Sequence, residues 1–246
     1  MFRPKHVLSL FLLIVLIGLV PLYAELTKTE IKALKSKRII PVKVVVDYTF
    51  CYHNMPWKWT ARKIISEAFY EFRPLGIDPK VLEIIKIEKI HAVSTPHKIS
   101  HILADLLYIT QEVDPPEGGI VVWLTSRYYG HTSKFYEGCA IFPSRYCMAT
   151  DNRQFEDSRH YGTTNIEQIF ELRLHRKKFG KMLAHEIGHL FGAQHADNSK
   201  SIMAEEMNSH IAKFDKISTQ KILQNKWLAF SSLAIKPRHF QQPEQK

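Results

Sequence analysis

The chain has 246 residues, 45% of them hydrophobic and 24% charged, and a formal net charge of +10. That is a globular composition with enough apolar material for one sizeable core, which excludes a disordered or low-complexity chain. Its Lys and Arg are scattered rather than packed into a stripe with interleaved aromatics, so the basic balance reads as a solvated surface and no nucleic-acid partner is expected.

At the N-terminus, Arg3, Lys5 and His6 precede an apolar run from Val7 to Val20, and Pro21-Leu22-Tyr23-Ala24 follows. This predicts a secretory signal peptide over 1–24, cut after Ala24. The cut removes Arg3 and Lys5 and no acid, leaving a formal charge of +8. The alternative is an uncleaved anchor, hence a membrane tether, because lysines lie just downstream. A short Lys-rich lead over 25–40, a folded domain over 41–235 and a disordered tail over 236–246 complete the expected organisation.

The β-branched run PVKVVVDY, residues 41–48, predicts a buried strand. Between Thr60 and Arg73, Ile64, Ile65, Ala68, Phe69 and Phe72 fall on one helical face, and Pro74 with Gly76 ends the pattern. Val81 to Ile90 reads as a second strand. Ile99, Ile102, Leu103, Leu106 and Leu107 then predict a helix that stops before the turn cluster at Asp114 to Gly119, and Ile120 to Thr125 (IVVWLT) predicts a third strand. Residues 138–150 hold short apolar stretches interrupted by Pro143, which a sheet tolerates only at an edge or a bulge. The polar stretch 151–161 reads as a surface loop.

From Lys177 onward, Phe179, Met182, Leu183, Ile187, Leu190 and Phe191 describe an apolar helical face with Gly192 placed to end it. Ser218 is the expected N-cap of a last helix over Thr219 to Phe230. Cys51, Cys139 and Cys147 allow at most one intrachain bridge. Export would permit it, and the near pair Cys139–Cys147 is expected to form it, leaving Cys51 unpaired.

Residues 185–195 read His-Glu-Ile-Gly-His-Leu-Phe-Gly-Ala-Gln-His. Positions four apart lie one turn above each other on a helix, so His185 and His189 can aim imidazole nitrogens at one ion. Gly192 can take the positive φ that turns the chain back and delivers His195 as a third ligand. Three neutral imidazoles leave one coordination position open, the pattern of a catalytic zinc site rather than a structural one. Glu186 is placed to act as general base, taking a proton from water and passing it to a leaving amine. The five fixed positions would recur by chance in roughly one unrelated chain of this length in ten thousand. Glu205 or Glu206 is the rival third ligand. His97 and His101 are also four apart, but no acid or third ligand accompanies them, and they read as a solvated pair.

HEIGHLFGAQH, followed eight residues after His195 by Met203 in Ser201-Ile202-Met203-Ala204, resembles the metzincin zinc proteases, and most of all their adamalysin/reprolysin branch. The resemblance implies zinc as cofactor, a structural methionine turn at Met203 under the metal, and a protein or peptide as substrate. It implies an α+β domain: a twisted mixed sheet with helices in an N-terminal lobe and a small irregular C-terminal lobe, with zinc on the floor of the cleft between them. It also implies that the strand around Gly138, Ala140 and Ile141 pairs with an extended substrate; a plain surface hairpin is the alternative. Two positions depart from the pattern. Ala196 stands between His195 and Asp197, and Glu205 stands where some metzincins carry a tyrosine, so no catalytic tyrosine is assigned.

The expected function is a secreted zinc endopeptidase. The rivals are a zinc-bearing fold that binds a partner without cleaving it, and a basic membrane-tethered protein whose motif is incidental. Residues 25–40 contain no Cys to occupy the metal, so no large pro-domain is expected to hold the enzyme latent.

Overall fold

The computed structural model describes residues 28–88, 99–127, 130–131, 134–135, 138–142, 144–150, 166–205 and 212–230. The expected signal segment, the loop at 151–161, the tail at 236–246 and His97 lie outside them. Among the described residues no helix is long and apolar enough to cross a membrane.

The lead segment is structured: helix α1 (Lys28–Lys35) runs into strand β1 (Arg38–Val46), which starts three residues before the expected strand. β1 also stops earlier than predicted. Asp47 caps a short helix α2 (Tyr48–His53) by accepting the Phe50 amide at 2.9 Å, so Asp47 and Tyr48 leave the strand. Helix α3 (Trp57–Tyr70) and a 3-10 turn (Arg73–Leu75) follow, and Gly76 at φ 70° turns the chain into β2 (Ile77–Lys86). Helix α4 (Ile99–Glu112) leads to β3 (Ile120–Thr125), the small hairpin β4 (Gly130–His131) and β5 (Lys134–Phe135), then β6 (Gly138–Ala140) and β7 (Tyr146–Thr150). The long helix α5 (Ile166–Leu190) and helix α6 (Lys216–Asn225) complete the chain.

The main sheet has the order β2-β1-β3-β7-β6. β1 pairs in parallel with both β2 and β3, and β3 with β7, while β6 runs antiparallel to β7 and, among the described residues, pairs with no other strand. Central β3 is buried at all six positions, as expected of a parallel strand covered on both faces. Alternation divides the strands between two cores. Val42, Val44, Val46, Val122 and Leu124 face α3 (Ile64, Ile65, Ala68, Phe69) and α5 (Phe179, Leu183, Ile187). Val45, Val121, Trp123 and Met148 face α4 through Ile102, Leu106 and Ile109. Each such fully buried side chain contributes about 1.5–3 kcal/mol, and a carboxylate at Val122, flanked in the sheet by Val44 and Cys147, would leave an unpaired charge in the core.

The same alternation overturns the expected disulfide. All three cysteines are free. The β6–β7 register sets Cys139 opposite Met148 and Ala140 opposite Cys147, one residue out of step. The two thiols therefore leave opposite faces of the sheet, Cys147 into the α3/α5 core and Cys139 against the α4 cluster.

The last helix also differs from expectation. Asp215, not Ser218, is its N-cap, with extended φ −70°, ψ 174°, and it accepts the Ser218 amide at 2.9 Å. Behind α6, the ammonium of Lys226, fully buried, donates to the carbonyls of Ser36 and Leu75. The Arg38 guanidinium donates to the Lys226 carbonyl and lies 4.6 Å from the Phe230 ring centroid. These contacts tie the C-terminal helix to the start of β1.

Candidate metal centre and active site

Helix α5 begins at Ile166, eleven residues before the predicted start, and buries Phe179, Leu183, Ile187 and Leu190 beneath the sheet. The opposite stripe carries His185 and His189, one turn apart. Gly192 at φ 78° ends the helix, with the Ala193 amide donating to the Gly188 carbonyl at 3.1 Å and the Gly192 amide to that of His189 at 2.8 Å. This is the Schellman arrangement, in which a left-handed glycine satisfies the last carbonyls. The reversed chain brings His195 to the two helical histidines.

The three rings converge. Nε2 of His189 is 3.0 Å from Nε2 of His185 and 3.2 Å from Nε2 of His195. Nδ1 of His185 faces the Ile202 carbonyl at 2.7 Å, and Nδ1 of His189 faces the Ala193 carbonyl at 2.8 Å. A carbonyl only accepts, so each Nδ1 carries the proton and donates, which leaves each Nε2 with a lone pair. Burial brings His185 down to about 4, with His189 and His195 adding to the effect, and burial also lowers His189, so both rings stay neutral. Two lone pairs 3.0 Å apart repel unless a cation lies between them. Tetrahedral zinc with Zn–N bonds of about 2.0–2.1 Å sets neighbouring nitrogens about 3.3–3.4 Å apart; the two separations from His189 lie a few tenths of an ångström below that, and the three ligand atoms lie within 4.8 Å of one another. The three histidines form a group able to hold a metal. Of the rival ligands, Glu205 is exposed and outside that group, and Glu206 lies outside the described residues.

Glu186 follows His185 and turns under the sheet edge, 7% exposed. Burial pushes its carboxyl up to about 8, and a cation held by the neighbouring histidines would draw it back towards the ionised form that a general base requires. The edge strand lies directly on it: a Cβ built on Gly138 would stand 2.4 Å from Glu186 Oε1. Ala140 packs on the α3/α5 core, whereas Ile141, one residue past β6, packs on the α4 cluster and donates its amide to Tyr146 at 3.2 Å.

Met203 is fully buried, with its Sδ against Gly188 of the helix that carries His185 and His189. Its turn is held at three points: the Ala196 amide donates to the Met203 carbonyl at 2.8 Å, the Met203 amide to Ser201 Oγ at 3.0 Å, and the Ile202 amide to the Lys213 carbonyl at 2.9 Å. Ser201 Oγ in turn donates to Asp215 Oδ2 at 2.5 Å. The roles of Ser201, Asp215 and Gly188 are not apparent in the motif. Gly188 did leave a signal, since glycine costs roughly 1 kcal/mol in a helix interior and invites a packing reason.

A profile of the Metallo-peptidase family M12B Reprolysin-like matches residues 65–196, from the middle of α3 through all three histidines. The chain belongs to this family. As a reprolysin-like metallopeptidase it is a zinc-dependent enzyme acting on protein or peptide substrates. No curated protein sequence matches it. Among solved structures, archaemetzincin from Methanopyrus kandleri is similar at TM-score 0.52 and 17% identity, over 76% of this chain and 95% of that one. A zinc-dependent peptidase from Methanocorpusculum labreanum aligns at TM-score 0.46 and 17% identity, over 73% and 99%. The archaemetzincin likeness is one of fold, and the reprolysin-like chain shares its α+β architecture.

Proposed function

We propose that the chain is a secreted zinc endopeptidase in which His185, His189 and His195 hold the metal and Glu186 is the general base. The convergence of three Nε2 atoms, with the buried Glu186 following His185 on the same helix, carries this reading. Zinc, when bound there, supplies Lewis acidity, drawing the pKa of water from 15.7 towards about 7 and polarising a peptide carbonyl. Glu186 takes a proton from the attacking water, whose oxygen joins the acyl carbon as the C–N bond breaks, and gives that proton to the departing amine. The Ile202 and Ala193 carbonyls fix the tautomer and angle of His185 and His189. Met203 forms the floor against which the ligands are set.

The outer edge of β6 is the surface on which an extended substrate backbone pairs, with Gly138 and Ala140 as the docking row; the Ile141 amide, already given to the Tyr146 carbonyl, takes no part in it. An open edge accepts the middle of a chain, which is the basis for reading the enzyme as an endopeptidase. Secretion rests on the apolar run Val7 to Val20 ending in Ala24. N-terminal sequencing is expected to find Glu25 first in the medium; a membrane-bound chain beginning at Met1 would mean a tether.

The deciding experiment compares the wild-type chain with Glu186→Gln and His195→Ala on a peptide library, with zinc measured in each. Wild type is expected to cleave and to hold zinc. Glu186→Gln is expected to hold zinc and lose cleavage by roughly 10²–10⁴-fold, and His195→Ala to lose both. Wild type that binds zinc without cleaving anything would make it a binding protein, and full activity in Glu186→Gln would remove the carboxylate from the mechanism.

A further inference from the structure

Gly138 sits in a regular strand position, paired with Ala149, and is not among the glycines with positive φ. Its backbone therefore makes no demand for glycine, and glycine weakens a strand interior. Space makes the demand instead. The three heavy atoms nearest an ideal Cβ at this position all belong to Glu186: Oε1 at 2.4 Å, Cγ at 2.7 Å and Cδ at 2.8 Å. Because the contact reaches Cγ, moving the carboxylate tip alone would not relieve it; the whole Glu186 side chain would have to leave its rotamer or β6 would have to lift.

We propose that Gly138 is a positioning residue for peptide hydrolysis: the missing side chain is the seat in which the Glu186 carboxylate lies beneath the substrate-docking strand. The proposal rests on the reading of Glu186 as general base. One glycine sets two distances together, that of the base from the metal ligands and that of the docking strand from the base. Any side chain at 138 spoils one or the other. Misplacement by about 1 Å is enough to cost on the order of 10²-fold in rate.

The test is a double-mutant cycle of Gly138→Ala with Glu186→Ala, read by thermal melting and zinc content, together with kcat and KM for Gly138→Ala alone. Gly138→Ala is expected to lower kcat roughly 10- to 100-fold, a larger change than any rise in KM from a lifted docking strand, with zinc content close to wild type. In the melting data it is expected to destabilise the parent chain and to be neutral or stabilising once Glu186→Ala has emptied the seat. That coupling is readable even where Gly138→Ala folds poorly, since the second substitution should then restore folding. Wild-type kcat in Gly138→Ala, or equal destabilisation in both backgrounds, would overturn the proposal. Retained cleavage in Glu186→Gln would instead overturn the underlying assignment, so the two failures are distinguishable.

Discussion

Gly188 and Met203 face each other so closely that a Cβ on the glycine would stand 2.6 Å from the methionine Sδ. Gly188 lies between the two helical histidines, and Ile202, beside Met203, accepts the hydrogen bond from His185 Nδ1. The separation of helix and turn therefore sets the angle of a ligand ring. Gly188→Ala should push the turn away, costing about 1–3 kcal/mol by overpacking where helix propensity alone would favour Ala by about 1 kcal/mol. Zinc affinity should fall with it. Competition with a chromogenic chelator and a denaturant titration check both; a stabilised variant with unchanged affinity would mean that the turn yields freely.

The three cysteines should behave as inert, reduced residues. Burial, with Glu186 nearby, pushes the Cys139 thiol up to about 12, and burial first of all raises Cys51 and Cys147 as well. Since the thiolate is the reactive form, iodoacetamide at pH 8 should label the native chain slowly and the denatured chain at three sites. Rapid native labelling would contradict the burial of the thiols, and a Cys139–Cys147 bridge by non-reducing mass mapping would contradict the β6–β7 register.

Asp215 links the methionine turn to α6. Burial works to raise its pKa, but hydrogen bonds from the Ser201 hydroxyl and from the Ser218 amide and hydroxyl more than offset this, and the carboxyl lies below its ordinary value of 3.8. A depressed folded-state pKa stabilises the fold above the ordinary value and loses that contribution as pH falls through the folded one. Asp215→Ala should cost about 1–3 kcal/mol at neutral pH and loosen zinc binding through Ser201. The gap between wild type and variant should close below pH 3.8. A gap that persists into stronger acid would show that ionisation is irrelevant.

Lys226 gives an alkaline counterpart. Burial, and then the nearby Arg38 charge, bring its ammonium from 10.5 down to about 8. Between these values the unfolded chain keeps a proton that the folded chain has shed, so stability rises with pH there. Relative to Lys226→Met, wild type should gain up to about 1.4 kcal/mol per pH unit across that window. Chemical denaturation of both proteins from pH 7 to 10.5 measures it, and parallel curves would show that the carbonyl cage keeps the lysine charged.

What could be read from the chain was what depends on near neighbours. The β3 run, the apolar face of α3 and the histidine spacing are local patterns, and Gly192 ends its helix where the motif placed the bend. What could not be read depends on distant partners. Nothing near Cys139 reveals that β6 and β7 pair one residue out of step with a bridge. Asp215 and Ser218 are both good capping residues, and the choice between them was decided by Ser201, fourteen residues upstream of Asp215. The first turns of α5 carry Glu167, Glu171, Arg173 and Arg176, and the apolar periodicity that marks the helix from Lys177 onward does not continue through them. The seat at Gly138 and the wall at Gly188 show in the sequence only as glycines in unfavourable places.

An edge that receives a passing backbone must also refuse a permanent one. β6 has three residues, Gly138–Ala140, and is the one antiparallel member of the main sheet. A row this short offers few backbone hydrogen bonds to another chain, and short edges are a common defence against edge-to-edge association. The opposite edge is protected differently: β2 exposes Lys80, Glu83 and Lys86 along a ten-residue strand. On the reading above, grip comes from a brief ladder plus whatever the metal and side-chain contacts add, so cleavage halves the ladder and each product is left with too little to stay. Product escape and resistance to self-aggregation would then have the same origin, the length of one strand.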